Sequence, residues 1–183
     1  MTYATFSNTN SSPHIAISTD GLTITGTAGP AMAFTNIPAN VGTKTYWEMT
    51  SNTNHGGVLR TGIGSDLTVF LSASIGGVPS QWALQSLANP TSQVVNNLID
   101  IVNGYAEETF NAGDVIGIAL NLVENTVQFF KNDMACGTPV TVTGGVNYYP
   151  ASSVNTGMSF TANFGATPFK YPVPTGFQAG LYQ

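Results

Sequence analysis

Short runs in which apolar and polar residues alternate recur along nearly the whole chain, and a helical period is scarce. The clearest run is MSFTANF, where Met158, Phe160, Ala162 and Phe164 share one face and polar residues occupy the other. This alternation is typical of an antiparallel strand with one buried face and one solvated face. The predicted fold class is therefore all-β, an antiparallel β-sandwich of jelly-roll type.

The segment GDVIGIALNLVENTVQFFKND predicts a β-hairpin with its turn at residues 123–125. The apolar residues that share one face of this hairpin are Ile116, Ile118, Leu120, Leu122, Val127 and Phe129. Gly117 lies in the middle of the first strand, where a side chain is normally needed for packing. We therefore expect a backbone or an aromatic ring to lie close over Gly117.

Other segments give weaker signals. Alternating pairs predict strands at Leu22 and Ile24, at Met32 and Phe34, and at Trp47 and Met49. The segment QVVNNLIDIV fits either a short helix or two brief strands that meet at Asn96 and Asn97, and we favour strands. Phe169, Tyr171 and Phe177 are expected to cover a barrel end or a sheet edge.

No long linker, charge block or repeat divides the 183 residues. We therefore predict a polar N-terminal segment at residues 1–12 and a single domain at residues 13–183. The residues expected in its core are Trp47, Ile116, Ile118, Leu120, Phe129, Phe160 and Phe164.

Charge and cysteine content exclude several functions. Four Lys and Arg residues stand against nine Asp and Glu residues, and a net charge of -5 leaves no basic patch for nucleic acid. The single cysteine, Cys136, is expected to be packed in the interior and cannot form an internal disulfide. No apolar run reaches the roughly 20 residues of a membrane span, and the N-terminus lacks the features of a signal peptide. We expect no membrane insertion and no cofactor.

The order of motifs along nearly the whole chain resembles a SPRY domain, a member of the concanavalin A-like β-sandwich family. The motifs that carry the resemblance are TKTYWEMT, RTGIGS, QWAL, GDVIGIALNL, TVQFFKND, NYYPASS and FTANFGATPFKYPVPTGF. Thr43 and Ala83 stand where the family usually has glycine. The early segment IAISTDGLTITGT is similar to bacterial and phage versions. The resemblance implies a binding module without catalysis, which presents one end or face of the sandwich to a peptide or protein.

Candidate catalytic and metal-binding groups are sparse. His14 and His55 lie in polar, loop-like contexts, which favours exposed loop histidines over catalytic ones. Glu107 and Glu108 are adjacent, so on a strand they would point to opposite faces and form a solvated edge. Asp66 and Asp100 add possible oxygen ligands. Because no DxDxDG spacing occurs, we predict no metal ligands among these acidic residues.

Three loops rich in Asn, Thr, Ser and Gly are better binding candidates: SNTNHGG, IGGVPSQ and ANPTSQ. Their neutral hydrogen-bonding groups suit sugar hydroxyls or a protein partner. The individual residues proposed for ligand binding are Trp82, Tyr105 and His55. Trp82 follows a loop and would be half exposed in that role, whereas sandwich packing would bury it. The pair Gly62 and Gly64 is expected to be structural.

The leading hypothesis is a non-enzymatic bacteriophage virion protein, made in the host cytoplasm and located in the virion as a capsid decoration or a tail-fibre component. Its partners would be other virion proteins or a host surface receptor or glycan. Edge strands poor in Lys further predict a homo-oligomer. The alternatives are a lectin-like carbohydrate-binding module, with Trp82 or Tyr105 as a stacking platform, and a cellular SPRY adaptor that binds a peptide.

Overall fold

The computed structural model describes residues 1–54, 59–68, 74–86, 92–96, 99–105 and 109–183, with the backbone alone at residues 92–93 and 99–105. These residues form sixteen strands and no helix. The strands are β1 Phe6–Ser11, β2 Ile15–Ile17, β3 Thr23–Gly26, β4 Ala31–Thr35, β5 Lys44–Ser51, β6 Leu59–Gly64, β7 Gln81–Ser86, β8 Ser92–Asn96, β9 Ile99–Tyr105, β10 Val115–Asn121, β11 Thr126–Lys131, β12 Met134–Ala135, β13 Val140–Thr141, β14 Tyr149–Val154, β15 Ser159–Asn163 and β16 Gln178–Ala179.

The strands form two sheets. One has seven strands in the order β1-β4-β14-β6-β7-β8-β9. The other has nine strands, with the path β12-β11-β10-β5-β15-β3-β2, while β13 pairs with β11 and β16 pairs with β5. All of these pairings are antiparallel except the parallel contact between β16 and β5. The predicted antiparallel sandwich is confirmed.

The main core lies between the two sheets, and all seven residues predicted for it are buried. The hairpin is confirmed as β10 and β11, where Ile118 pairs with Phe129 and Leu120 with Val127. The ambiguous segment also forms strands, β8 and β9. Gly62 and Gly64 are structural, because a Cβ on Gly62 would lie 2.0 Å from the backbone carbonyl oxygen of Trp82.

The polar segment at residues 1–12 belongs to the sheet, because it contains β1, which pairs with β4. Its register shifts between Phe6 and Ser11, so the strand bulges along the sheet edge. The two chain ends also pair with each other. The Thr2 amide donates to the Gln183 carbonyl at 2.8 Å, and the Gln183 amide returns a bond to Thr2 at 3.0 Å.

Both sheets are also covered on the faces turned away from the core. Over the nine-stranded sheet, Phe169 packs edge-on against Tyr46, with 5.2 Å between ring centroids. The expectation that Phe169 covers a barrel end or sheet edge was wrong, because its ring lies on the face of the sheet. Over the seven-stranded sheet, Ile75 packs in a second, smaller apolar cluster. Met32 and Phe34 belong to this second cluster, while Ala33 between them faces the main core.

Candidate binding surface

Several loops meet at one end of the sandwich, which we call the loop end. It contains residues 52–54 after β5, the end of β7 at Ser86, and residues 109–114 before β10. The antiparallel pairing of β5 with β10 brings two of these loops together, since Thr50 is opposite Val115. Ser51 closes this corner: its amide donates to the Asp114 carbonyl at 2.9 Å, and its carbonyl accepts the Gly113 amide at 2.8 Å.

Side chains then join the stems of three loops. The Asn54 side-chain oxygen accepts the backbone N–H of Ala112 at 3.0 Å. The Ser86 hydroxyl accepts the backbone N–H of Phe110 at 2.7 Å, and that bond is buried. Phe110 itself is buried in the core against Phe160. The loops that leave β5 and β7 and the loop that enters β10 therefore share one anchored base.

Asp114 and Lys131 form a partly buried ion pair under the same base, with 3.2 Å between the carboxylate and the ammonium. Asp114 also accepts the Asn111 backbone N–H at 2.7 Å and the Asn132 side-chain amide at 2.8 Å. Burial alone would raise the pKa of Asp114, but these hydrogen bonds and the Lys131 ammonium outweigh it and lower the pKa below its ordinary value. The carboxylate is thus ionised and committed to holding the loop.

Asn52 ties the loop end to the nine-stranded sheet. Its side-chain amide donates to the hydroxyls of Ser159 at 2.7 Å and Thr161 at 2.9 Å. Because Asp114 and Lys131 neutralise each other, the described stems offer mainly neutral amides, hydroxyls and backbone groups, with the Lys170 ammonium as a nearby cation 3.5 Å from the Gly113 carbonyl. Such a surface suits hydrogen bonding to a neutral ligand better than recognition of a charged metabolite.

A polar row crosses the outer face of the seven-stranded sheet close to this end. Arg60 of β6 stands opposite Gln85 of β7 on one side and Ser153 of β14 on the other. Gln85 directly precedes Ser86, so the row adjoins the loop stems. The side-chain oxygen of Gln85 is buried and accepts no hydrogen bond from the described residues. The sequence argument missed this row; the alternation of Gln81, Ala83 and Gln85 in β7 was the signal that could have found it.

The proposal of Trp82 as an exposed ligand platform is corrected by its burial. The residue is 5% exposed, and its ring packs edge-on against Tyr148 with 5.7 Å between centroids. Trp82 belongs to the main core because it is opposite Ile63 in the sheet and shares its inner face. A sugar ring has no access to a face that is already packed.

The other two proposed ligand residues, His55 and Tyr105, have no described side chain. His55 lies outside the described residues, as do Glu107 and Glu108. The backbone of Tyr105 ends β9, where it is opposite Ser92. Of the three candidate loops, SNTNHGG begins at the loop end with residues 51–54, and its last three residues lie outside the described residues. ANPTSQ also lies outside them, apart from the backbone of residues 92–93. The third, IGGVPSQ, lies on the outer face of the seven-stranded sheet.

The remaining candidate groups do not come together. His14 is exposed in a turn, and Asp66 accepts bonds from the backbone and hydroxyl of Thr68 at 2.8 and 2.6 Å. Across the described ranges, no three His, Cys, Asp or Glu side chains are grouped so that they could hold a metal ion. The same part of the chain contains no helix long and apolar enough to cross a membrane.

Comparison with known proteins gives matches in sequence. The SPRY domain profile matches residues 44–167. The chain is 41% identical over 75 residues to the E3 ubiquitin-protein ligase RKP of Arabidopsis thaliana. This match covers 39% of this chain and 6% of the ligase. It is also 39% identical over 66 residues to Ran-binding protein 9 of Xenopus tropicalis, and this match covers 36% of this chain and 12% of that protein. The chain thus spans a small part of the length of these relatives.

Solved structures agree on the fold. The chain is similar to the PSpry domain of TRIM65, with a TM-score of 0.67 at 15% identity over 88% of this chain and 92% of that one. It is also similar to the SPRY domain of human HERC1, with a TM-score of 0.67 at 14% identity over 86% of this chain and 96% of that one. The sequence relatives named above come from a plant and a frog, so the bacterial or phage-type assignment gains no support. The profile covers more than half of the chain and the fold agrees with it; the chain belongs to the SPRY domain family.

Proposed function

We propose that this chain is a cellular protein-binding module that holds a peptide or protein segment at its loop end. The observation that carries the proposal is the shared base of three loops, in which Asn54 holds Ala112 and Ser86 holds Phe110. Loops that are fixed at their stems present a partner with a surface that loses little conformational entropy on binding. Binding, rather than catalysis, is the activity that this arrangement supports.

Family membership supports the same conclusion. The sequence relatives are named as a ubiquitin ligase and a Ran-binding protein, and in both the matching region is a small part of a longer chain. A module of this size in a larger protein is suited to bringing one partner to the rest of that protein. The partner proposed here is a protein segment with neutral polar side chains, which the Asn, Ser and Thr groups of the loop end would pair by hydrogen bonds.

The bacteriophage virion hypothesis, with its virion location, virion partners and homo-oligomer, has no supporting observation among the relatives or in the fold. The carbohydrate-binding alternative loses one of its two stacking platforms, because Trp82 is buried. The cellular adaptor therefore replaces the virion protein as the preferred function.

The test is selection of binders from a random peptide library, followed by affinity measurement on two matched variants. Asn54→Ala removes a side-chain oxygen that accepts a backbone N–H at the loop end. Asn147→Ala removes the same kind of bond, to Val41, at the opposite end. We expect Asn54→Ala to weaken binding about fivefold, from the loss of roughly 1 kcal/mol of hydrogen bonding and loop order. Asn147→Ala should leave the affinity unchanged.

Equal effects of the two substitutions would place the binding site elsewhere on the domain. Failure to select any peptide, together with binding to a glycan array, would replace the proposal with the lectin-like function.

A further inference from the structure

Ile75 packs against the outer face of the seven-stranded sheet. Its side chain is fully buried in the second apolar cluster, outside the main core. The buried residues around it come from four strands and are Met32, Phe34, Ala83, Val95 and Ala151. If residues 74–76, which we call the cis segment, left this face, an apolar groove would be open to solvent.

The backbone of the cis segment is recognised by side chains of the sheet. The Ile75 N–H donates to the Ser153 hydroxyl at 2.6 Å, and the Ile75 carbonyl accepts from the Arg60 guanidinium at 3.1 Å. The Gly76 N–H donates to the Gln81 side-chain oxygen at 3.1 Å. Ser153 and Gln81 are fully buried. Three strands thus each supply one side chain to one backbone group of a two-residue segment, and any peptide backbone carries the same groups.

The position after Ile75 accepts only glycine. Gly76 has a φ of +87°, and a Cβ built on it would lie 2.6 Å from a methyl group of Val95. The segment that fits this face therefore has a branched aliphatic residue followed by glycine. This selectivity comes from the shape of the sheet face and does not depend on which chain supplies the residues.

We propose that this outer face is a peptide-binding groove that the cis segment occupies, and that a partner segment containing a branched aliphatic residue followed by glycine replaces it. The cis segment is tethered, so its effective concentration is in the millimolar range and a free peptide competes poorly against it. When the cis segment is displaced from this face, a free peptide binds with the full affinity of the groove. Arg60 and Ser153 belong to the polar row that adjoins the loop stems, but the groove lies on the outer face of the sheet, so this inference does not depend on partner binding at the loop end.

The experiment uses the labelled peptide SIGGVPS, which repeats residues 74–80, and the whole 183-residue chain carrying Ile75→Asp. A carboxylate cannot be buried in the apolar groove, so this variant releases the cis segment. We expect the peptide to bind the variant about tenfold or more tightly than it binds the wild type. The control peptide SDGGVPS should bind neither protein. Val78→Asp is the matched variant, since it adds the same charge to the same loop and leaves Ile75 in place; it should behave as the wild type does.

Circular dichroism and thermal unfolding first establish that the Ile75→Asp variant is folded. If it is not, Ile75→Ala takes its place, because alanine weakens the anchor without burying a charge. No binding of SIGGVPS to the folded variant would overturn the proposal. Equal binding of SIGGVPS and SDGGVPS would overturn it as well, because the groove would then not recognise the aliphatic residue.

Discussion

Gly117 lies directly beneath the side chain of Tyr46, so that a Cβ on Gly117 would stand 2.6 Å from the Tyr46 hydroxyl oxygen. Gly117 is opposite Glu48, and Tyr46 lies two residue pairs further along β5, opposite Ala119, so its side chain shares the face of Gly117. The expectation that a close aromatic neighbour lies over this mid-strand glycine is confirmed. The absent side chain leaves room for the Tyr46 hydroxyl to reach the carboxylate of Glu48 at 3.2 Å.

Gly117→Ala is expected to destabilise the protein by about 1–3 kcal/mol, because the added methyl group forces the Tyr46 ring to move in a packed region. Urea unfolding measures the change. Tyr46→Phe in the same chain removes the hydroxyl that meets the methyl group first. The double variant should therefore lose less stability than the sum of the two single variants. Additive losses would show that the two residues do not interact.

Glu48→Gln is expected to loosen the C-terminal segment. The buried carboxylate of Glu48 accepts the backbone N–H groups of Lys170 and Tyr171, both at 2.9 Å. A glutamine turns an N–H₂ group toward at least one of these donors, which costs about 1–3 kcal/mol. Amide hydrogen exchange at positions 170 and 171 should accelerate, and the thermal midpoint should fall.

Glu124→Gln is the matched control for this substitution, because Glu124 forms an exposed ion pair with Lys44 at 3.5 Å. Its effect should stay within about 0.5 kcal/mol. A Glu48→Gln variant as stable as Glu124→Gln would show that the C-terminal segment is held by other contacts.

Acid should weaken the loop end through Asp114. The folded state lowers the pKa of Asp114 below its ordinary value of 3.8, so its ionised form stabilises the folded protein. This contribution is complete above the unfolded pKa and is lost as the pH falls through the folded pKa. Asp114→Asn should therefore be less stable than the wild type near neutral pH, and the difference should shrink as the pH falls below the ordinary value of 3.8.

Chemical denaturation of both proteins across this pH range measures the effect. Asp66→Asn provides the comparison, because Asp66 forms no ion pair among the described residues and its carboxylate accepts bonds from the neighbouring Thr68. Near neutral pH, the loss in free energy of unfolding should be smaller for Asp66→Asn than for Asp114→Asn. A gap between Asp114→Asn and wild type that stays constant on acidification would contradict the role assigned to the Asp114 carboxylate.

Cys136 should be inert in the folded protein. Burial raises the pKa of its thiol to about 11, so almost no thiolate forms at neutral pH. A thiol reagent such as an aromatic disulfide should label Cys136 only in denaturant, at a rate that follows unfolding. Rapid stoichiometric labelling without denaturant would contradict the burial of this side chain.

Alternation along the chain predicted the strands but not the roles of their two faces. In β10 every residue from Val115 to Asn121 is buried, since the main core covers one face and other residues of the domain cover the opposite one. Met32 and Phe34 gave the same alternating signal as Trp47 and Met49, yet they face the second cluster under Ile75. A period of two separates two faces but does not say what will cover each of them.

The sequence by itself determined the all-β class, the β10–β11 hairpin, the main core and the family, because each of these depends on local alternation or on the order of motifs. The tertiary structure decided the candidate sites. Asn54 and Ala112 are 58 residues apart in sequence, and Ser86 and Phe110 are 24 apart. Ile75 is 78 residues from Ser153. Antiparallel strand pairing and loop packing bring these residues into contact, and a local pattern carries no information about contacts made over such separations.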